Sequence, residues 1–379
     1  MWDQTLFRRG EIFEFDHIPE HFAHRDSQLK SILFGVRPAM QRMRPLDLMC
    51  VGPPGTGKTT AVKNVFEELG EHAPGVITAH INCQANQTRY TIFSSIFHRL
   101  IGHAPPASGV SFRKILDEIV KYLIKNEKIL IVALDDINYL FHEKEVDNVL
   151  YSLLRAHETH PGTKISVIAI LSDDRMNYIL DPKVGSIFLP EEVVFPVYTW
   201  DELKSILHDR ARLGFYDGVI SDDVLDVIAD YTSEAADIRV GIDLLKRSGL
   251  GAEQRASMTI SIEDVRSAHK RSRMLHLSRM ISSLSEGERA ILEVLAKKSA
   301  STAGDVYAAF NESVGLGYTR FHTMLSKLVS LQLIDADLVT EGMHGRSRTI
   351  KLRYDADDVL ECCSPKSHLP QSITADRQG

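Results

Sequence analysis

The segment Gly52-Pro53-Pro54-Gly55-Thr56-Gly57-Lys58-Thr59-Thr60 gathers glycines, hydroxyls and one amine in a short run. Gly52, Gly55 and Gly57 leave room for backbone N–H groups to turn inward where side chains would clash, and the concavity so formed suits the phosphates of a nucleotide. Lys58 stands where an ammonium reaches β- and γ-phosphate oxygens, and the Thr59 hydroxyl where it ligates Mg2+. A helix opening here adds the positive end of its dipole. The matching acids follow an apolar run over 129–134. Asp135 is placed to hold Mg2+ through water, and Asp136 to orient an attacking water as a general base. The expected ligands are therefore ATP or ADP with Mg2+.

Such a site needs strand ends to position it. Residues 47–51 read as a strand entering the glycine segment and 58–69 as the helix leaving it. Further strands are expected over 76–82, 129–134 and 165–171, and helices over 91–101, 112–125 and 147–159. Pro105, Pro106 and two glycines make 102–109 a loop. Continuous apolar strands alternating with helices predict an α/β domain with a parallel sheet covered on both faces. After Pro196 the pattern turns all-helical. Thr199 with Glu202 forms a capping box, Ser221 caps 222–231, a helix over 235–247 stops at Gly249, and Ser261 with Asp264 opens a helix towards Met280. Arg266, Lys270, Arg271, Arg273 and Arg279 crowd that last helix with no acid among them, which reads as a solvated face.

A third unit starts near Ser285. Ser285 with Glu288 caps a helix, Thr302 starts a second, Gly315 and Gly317 turn the chain, and 318–331 forms a third with Phe321, Leu325 and Leu328 at core spacing. Two β-like runs, 333–339 and 349–354, enclose a polar loop. Three helices followed by a hairpin predict a winged helix. The expected boundaries are 1–197 for the nucleotide-binding core, 198–280 for a small all-α lid, 281–355 for the winged helix and 356–379 for a disordered tail.

Composition excludes other classes. The chain has 379 residues, 44% hydrophobic and 25% charged, and no apolar run approaches the ~18–20 residues of a membrane helix. Arg8, Arg9, Glu11 and Glu14 argue against a signal peptide. Cys50 and Cys83 lie in strand-like segments, and the adjacent Cys362 and Cys363 match no zinc spacing, which fits a reducing cytoplasm. The net charge of −7 rules out a uniformly basic coat but not a local patch.

The ordered motifs resemble one family over nearly the whole chain: the AAA+ replication initiators of archaea, related to eukaryotic origin-recognition subunits and Cdc-type helicase loaders. Gly52–Thr60 and Leu134–Asn138 resemble its Walker motifs, and His24-Arg25-Asp26-Ser27-Gln28-Leu29 an N-terminal box near the adenine. Leu180–Val184 and Val194–Tyr198 resemble a further family stretch, and Ala236-Asp237-Ile238-Arg239 its sensor 2. The resemblance implies a P-loop AAA+ core with a lid and a winged helix. It also adds His24, Arg25, Tyr198 and Arg239 to the nucleotide contacts and Ser172, at the sensor 1 position, to catalysis. The implied function is origin recognition and helicase loading, with duplex origin DNA, the MCM helicase and other initiator subunits as partners, at the nucleoid. Three positions depart from the pattern: Asp136 replaces the usual Glu, and Lys183 and Ile187 stand where trans-acting arginines are expected. An arginine finger contributes ~10³–10⁵ in rate, so a slow ATPase that uses ATP and ADP as states is expected. The alternative is a STAND-type regulatory ATPase whose winged helix makes protein contacts, although those usually add a further domain and only a short tail follows Tyr354.

On the third helix of the winged unit the core stripe leaves Thr319, Arg320, Thr323, Ser326, Lys327 and Ser330 facing outward, a mix suited to a groove and its phosphates. His344, Arg346 and Arg348 fall at the hairpin, where arginine commonly enters a minor groove or grips phosphate. A hydrated face used for protein contacts is the other reading of the same residues. Replacing Arg346 and Arg348 with alanine is expected to weaken duplex binding and flatten its salt dependence; unchanged affinity in an anisotropy titration would contradict this assignment.

Overall fold

The structure is a computed structural model that describes residues 5–106, 110–172, 179–297, 301–331, 333–339 and 347–363. The chain divides into two compact units, Met1–Val265 and Arg266–Gly379.

In the first unit, helices and strands alternate as α1 (Asp26–Val36), β1 (Leu48–Val51), α2 (Lys58–His72), β2 (Val76–Asn82), α3 (Arg89–Ile101), α4 (Phe112–Lys125) and β3 (Ile129–Asp135). The short helices α5 (Asn138–His142), α6 (Val146–Leu154) and α7 (Ala156–Thr159) lead to β4 (Ile165–Leu171), α8 (Pro182–Gly185) and β5 (Glu191–Val194). The strands form one parallel sheet in the order β2-β3-β4-β1-β5. Every residue of β3 and β4 is buried, because helices cover both faces. This is why their sequence runs continuously apolar instead of alternating. Phe93, Ile96 and Ile119 pack on one face, and Ile32, Val62 and Val65 on the other.

The register has a chemical consequence. Val51 is level with Leu171, Leu134 with Ala169, and Asn82 with Asp135. The segments that leave β1, β4 and β3 therefore emerge side by side at the carboxyl edge of the sheet, where ligands of open α/β sheets bind.

Four further helices follow: α9 (Trp200–Gly214), α10 (Asp222–Ala235), α11 (Ile238–Gln254) and α12 (Ile262–Ser282). The Thr199–Glu202 capping box forms in both directions. Ser221 differs from expectation: it holds the N-cap position of α10 without a side-chain cap bond. Helix α11 does not stop at Gly249 but continues through Gly251 to Gln254. Gly249 serves close packing instead of termination, since a Cβ there would lie 2.7 Å from Phe7 Cζ and 2.8 Å from Phe215 Cε1. Phe7, Phe13 and Phe215 form an aromatic cluster, with Phe13 and Phe215 centroids 4.6 Å apart. The buried Arg210 donates to the carbonyls of Ile12 and His17, fastening the N-terminal segment to the helical domain.

The division between units falls inside α12, between Val265 and Arg266, earlier than the boundary expected at 280. The second unit continues with α13 (Glu286–Lys297), β6 (Ser301–Thr302), α14 (Ala303–Val314), α15 (Tyr318–Ser330), β7 (Ile334–Val339), β8 (Ser347–Leu352) and α16 (Ala356–Cys363). The expected hairpin forms and gains β6 as a third strand, in the order β6-β8-β7. Leu277 and Ile281 of α12 join Phe310, Phe321 and Leu325 in its core. Helix α16 corrects the expectation of disorder from residue 356. Val359 is buried in that core, with Cys362 and Cys363 packed beside it. The acids at 355, 357, 358 and 361 gave the segment its polar appearance while the apolar positions kept helical spacing.

Gly214 closes α9 directly against the buried Phe13, and a Cβ there would overlap its ring. Because Phe13 is fixed between Phe7 and Phe215, Gly214→Ala is expected to cost about 1–3 kcal/mol, the usual range for overpacking a closed site. Denaturant or thermal unfolding measures this, and an unchanged or higher Tm would contradict it.

Candidate functional site

The glycine segment between β1 and α2 adopts backbone that only glycine takes without strain: φ is 153° at Gly52, 71° at Gly55 and 90° at Gly57. The surroundings also demand glycine. A Cβ on Gly52 would fall on the Phe195 carbonyl oxygen, and one on Gly55 on the Asp237 carboxylate. A Cβ on Gly57 would lie 2.7 Å from Phe22 Cζ and 2.9 Å from the Tyr198 hydroxyl oxygen. Pro53 and Pro54 are exposed on the outer arc, Thr56 is buried and donates to the Pro53 carbonyl, and Thr60 lies half-buried in the first turn of α2. Lys58 folds back over the loop, its Nζ donating to the carbonyls of Gly52 and Pro53 at 2.7 Å each. Burial pulls its pKa down to about 8, against the opposing pull of Asp136 and Asp135. An ammonium this poorly solvated gains strongly from phosphate oxygens.

Asp135 ends β3 with its carboxylate buried, and the Thr59 hydroxyl lies 3.1 and 3.0 Å from its two oxygens. Hard oxygen donors converging in this way suit Mg2+, which takes one or two protein ligands and completes its shell with phosphates and water. His80, on the neighbouring β2, places Nε2 3.0 Å from Asp135 Oδ2. An ionised carboxylate only accepts, so this ring nitrogen donates. His80 was missed from sequence; its only signal is a polar residue near the end of a strand.

Asp136 follows with φ of 53°, a left-handed conformation that Asp tolerates better than most residues. The Ser172 hydroxyl donates to its Oδ1 at 2.7 Å. This contact exists because β4, which delivers Ser172, lies between the strands that deliver the glycine loop and the acids. Asp173 and Asp174 lie outside the described residues.

Arg25 is 2% exposed, and its guanidinium donates to the carbonyls of Thr56, His24 and Pro196 while lying 3.6 Å over the Tyr198 ring. The structure thus sets Arg25 behind the loop as a tie between three backbone segments, with its donors committed to carbonyls. Tyr198 is buried beneath it, whereas His24 is exposed at φ of 60°. Arg239 opens α11 and pairs with Asp237, Nε lying 2.9 and 3.0 Å from its two carboxylate oxygens. Asp237 also caps α11 by accepting from the Arg239 N–H. Since that carboxylate rests against Gly55, the start of α11 is laid directly on the phosphate loop. Asp237 belonged to the quoted motif, but its reach to Gly55 was invisible without the fold.

In the second unit, Phe321, Leu325 and Leu328 of α15 are buried while Thr319, Arg320, Thr323, Ser326 and Lys327 are exposed, so the polar residues share a face away from the core. Lys327 pairs with the buried Glu288 at 2.9 Å, so its charge is already engaged. Thr323 donates to the Thr319 carbonyl. His344 and Arg346 lie outside the described residues, as does the side chain of Arg348. In the first unit Arg89 stacks on Phe112 at 4.1 Å, and Arg113 and Lys114 are exposed.

Lys58→Ala is expected to lower nucleotide affinity about 10–100-fold, the equivalent of 1.5–3 kcal/mol for charge-assisted bonds. Thr59→Ala is expected to remove the part of that affinity that depends on Mg2+. Calorimetric titration with and without the metal separates these effects, and full-strength binding by Lys58→Ala would overturn the site.

Three family models match in order along the chain: an AAA domain over residues 41–174, a Cdc6 AAA+ ATPase-type lid domain over 204–270, and a CDC6 C-terminal winged helix domain over 289–362. The chain is 50% identical over 362 residues to ORC1-type DNA replication protein 2 of Methanosarcina acetivorans, covering 96% of this chain and 97% of the relative. It is 43% identical to the protein of the same name in Methanothermobacter thermautotrophicus, covering 95% of each chain. Among solved structures it is similar to Aeropyrum pernix ORC1 in complex with DNA, with a TM-score of 0.77, 26% identity and coverage of 95% and 97%. A. pernix ORC2, solved with ADPNP and ADP, gives a TM-score of 0.69 at 26% identity, with coverage of 94% and 97%. The glycine cradle facing Asp135, the lid and the winged helix thus occur together in their expected order, and the chain belongs to the ORC1-type (Cdc6) family of DNA replication proteins.

Proposed function

We propose that this chain is a replication initiator that binds origin duplex DNA and carries ATP or ADP as a signal of state, with slow turnover between them. The observation that carries this reading is the contact of Asp237 with Gly55 of the glycine loop, made by a carboxylate that also holds Arg239. The Asp237 carboxylate lies against Gly55, and phosphates entering the loop offer Arg239 a second anionic partner. Helix α11 therefore registers whether the loop is filled and with how many phosphates.

Mg2+ held by Thr59, and through water by Asp135, would offset phosphate charge. Asp136 orients the attacking water through the oxygen that Ser172 leaves open, and accepts its proton as the water bonds to the γ-phosphorus. The bond to the β–γ bridging oxygen breaks, and Lys58 and Arg239 stabilise the charge that develops. Two features slow this step: Asp136 reaches one methylene less than Glu, and Lys183 and Ile187 supply no trans-acting guanidinium.

Duplex recognition falls to Thr319, Arg320 and Thr323 on α15, with the basic hairpin residues as further contacts. The names of the relatives and the DNA-bound A. pernix ORC1 support this reading over a STAND-type regulator. The proposed partners are the MCM helicase and other initiator subunits, with the protein at the nucleoid. Among the described residues no helix is long and apolar enough to cross a membrane.

Footprinting on chromosomal DNA, with and without ATP, tests the reading. It expects a discrete protected site whose occupancy changes with nucleotide, and steady-state turnover below about one per second. Absence of a site, or much faster turnover by the isolated protein, would contradict it.

A further inference from the structure

Helix α12 carries Arg266, Lys270, Arg271, Arg273 and Arg279, with no acid from 266 to 282. All five are exposed. Other helices of this chain pair some of their cations with neighbouring acids, as in Lys121–Glu118, Arg155–Glu158, Arg212–Asp209 and Arg247–Asp243. Among the described residues no such carboxylate partner is recorded for Arg266, Lys270, Arg271 or Arg279. Arg273 lies over the Tyr354 ring at 5.3 Å and reaches towards the Arg353 carbonyl.

The spacing matters. Arg266, Lys270 and Arg273 follow at i, i+4 and i+7 and share one helix face. Like charges at these spacings repel and destabilise a helix, so a stripe without carboxylate partners weakens α12 unless an anion is supplied from outside. Charge is also unevenly divided. Residues 266–379 contain 16 Lys and Arg against 13 Asp and Glu, in a chain whose net charge is −7. The stripe advances about 10 Å along the helix axis, close to three phosphate steps of one DNA strand at about 3.4 Å each.

We propose that this face of α12 is a second duplex-binding surface, which grips the sugar–phosphate backbone without reading bases. The inference rests on the reading of the chain as a DNA-binding initiator and adds to it a contact independent of α15. Its partner is double-stranded DNA because a regular polyanion matches cations repeated along one helix face.

The test uses the full chain and a duplex several helical turns long, titrated by anisotropy at a series of salt concentrations. Arg266→Gln with Lys270→Gln is expected to weaken binding on the order of tenfold and to lower the slope of log affinity against log salt by about 2, one counterion per lost contact. Arg266→Glu with Lys270→Glu weakens it further, and both variants keep the wild-type preference between origin and unrelated duplex. Arg320→Ala on α15 should reduce that preference instead. Unchanged affinity and slope in both double variants, with wild-type melting curves, would overturn the inference while leaving α15 binding intact. A loss confined to capture of polyglutamate would also overturn it, in favour of an acidic protein partner. A wild-type chain that ignores duplex altogether would overturn the functional reading itself.

Discussion

Everything in the nucleotide site depends on β4 lying between β1 and β3 in a parallel sheet. A cradle of inward-turned N–H groups attracts phosphate but cannot by itself hold a metal or orient a water. Those tasks need a hydroxyl and two carboxylates at fixed positions, and the parallel register supplies them by ending three strands at one edge. Thr59 meets Asp135, Ser172 meets Asp136, and His80 reaches Asp135 from β2 without any loop having to be stiffened separately. Precision at the site is inherited from a core in which every residue of β3 and β4 is buried.

The lid acts on this site through very few atoms. Asp237 rests on Gly55 and holds Arg239, while Arg25 braces the loop from behind through the carbonyl of Thr56. A small change at the loop, such as the arrival or loss of a γ-phosphate, thus falls on charged groups that have alternative partners. The structure holds one arrangement of that ion pair; the proposed switch requires a second when the loop is filled, since an effector acts only through differential contacts in the two states. Slow chemistry is compatible with that use, because a state that lasts can be read.

Much of this was legible in the sequence for identifiable reasons. The glycine segment and the acids after the 129–134 run have types and spacing fixed by phosphate and metal chemistry, and the strand order β3-β4-β1 brings them to one edge. The winged helix was legible because Phe321, Leu325 and Leu328 keep helical spacing. What escaped was whatever depends on close approach between distant segments. Gly249 looked like a helix stop but is a contact surface for Phe7 and Phe215. Nothing local marks His80, whose value lies in Asp135 on the neighbouring strand. Arg25 matched a motif, yet its burial against three carbonyls shows a bracing task that no local pattern encodes. Helix α16 hid behind its acids, with only Val359 and the two cysteines marking the buried side.

The central claim is that occupancy of the glycine cradle and the grip on duplex DNA are one coupled equilibrium. Such coupling is reciprocal: if nucleotide alters duplex affinity by some factor, duplex must alter nucleotide affinity by the same factor. Titrating ATP analogue and ADP into the wild-type chain, with and without saturating origin duplex, measures this most directly. The account predicts that duplex shifts the two nucleotide affinities by different factors, each matched by the reciprocal shift in duplex affinity. Nucleotide affinities identical in the presence and absence of DNA would contradict it.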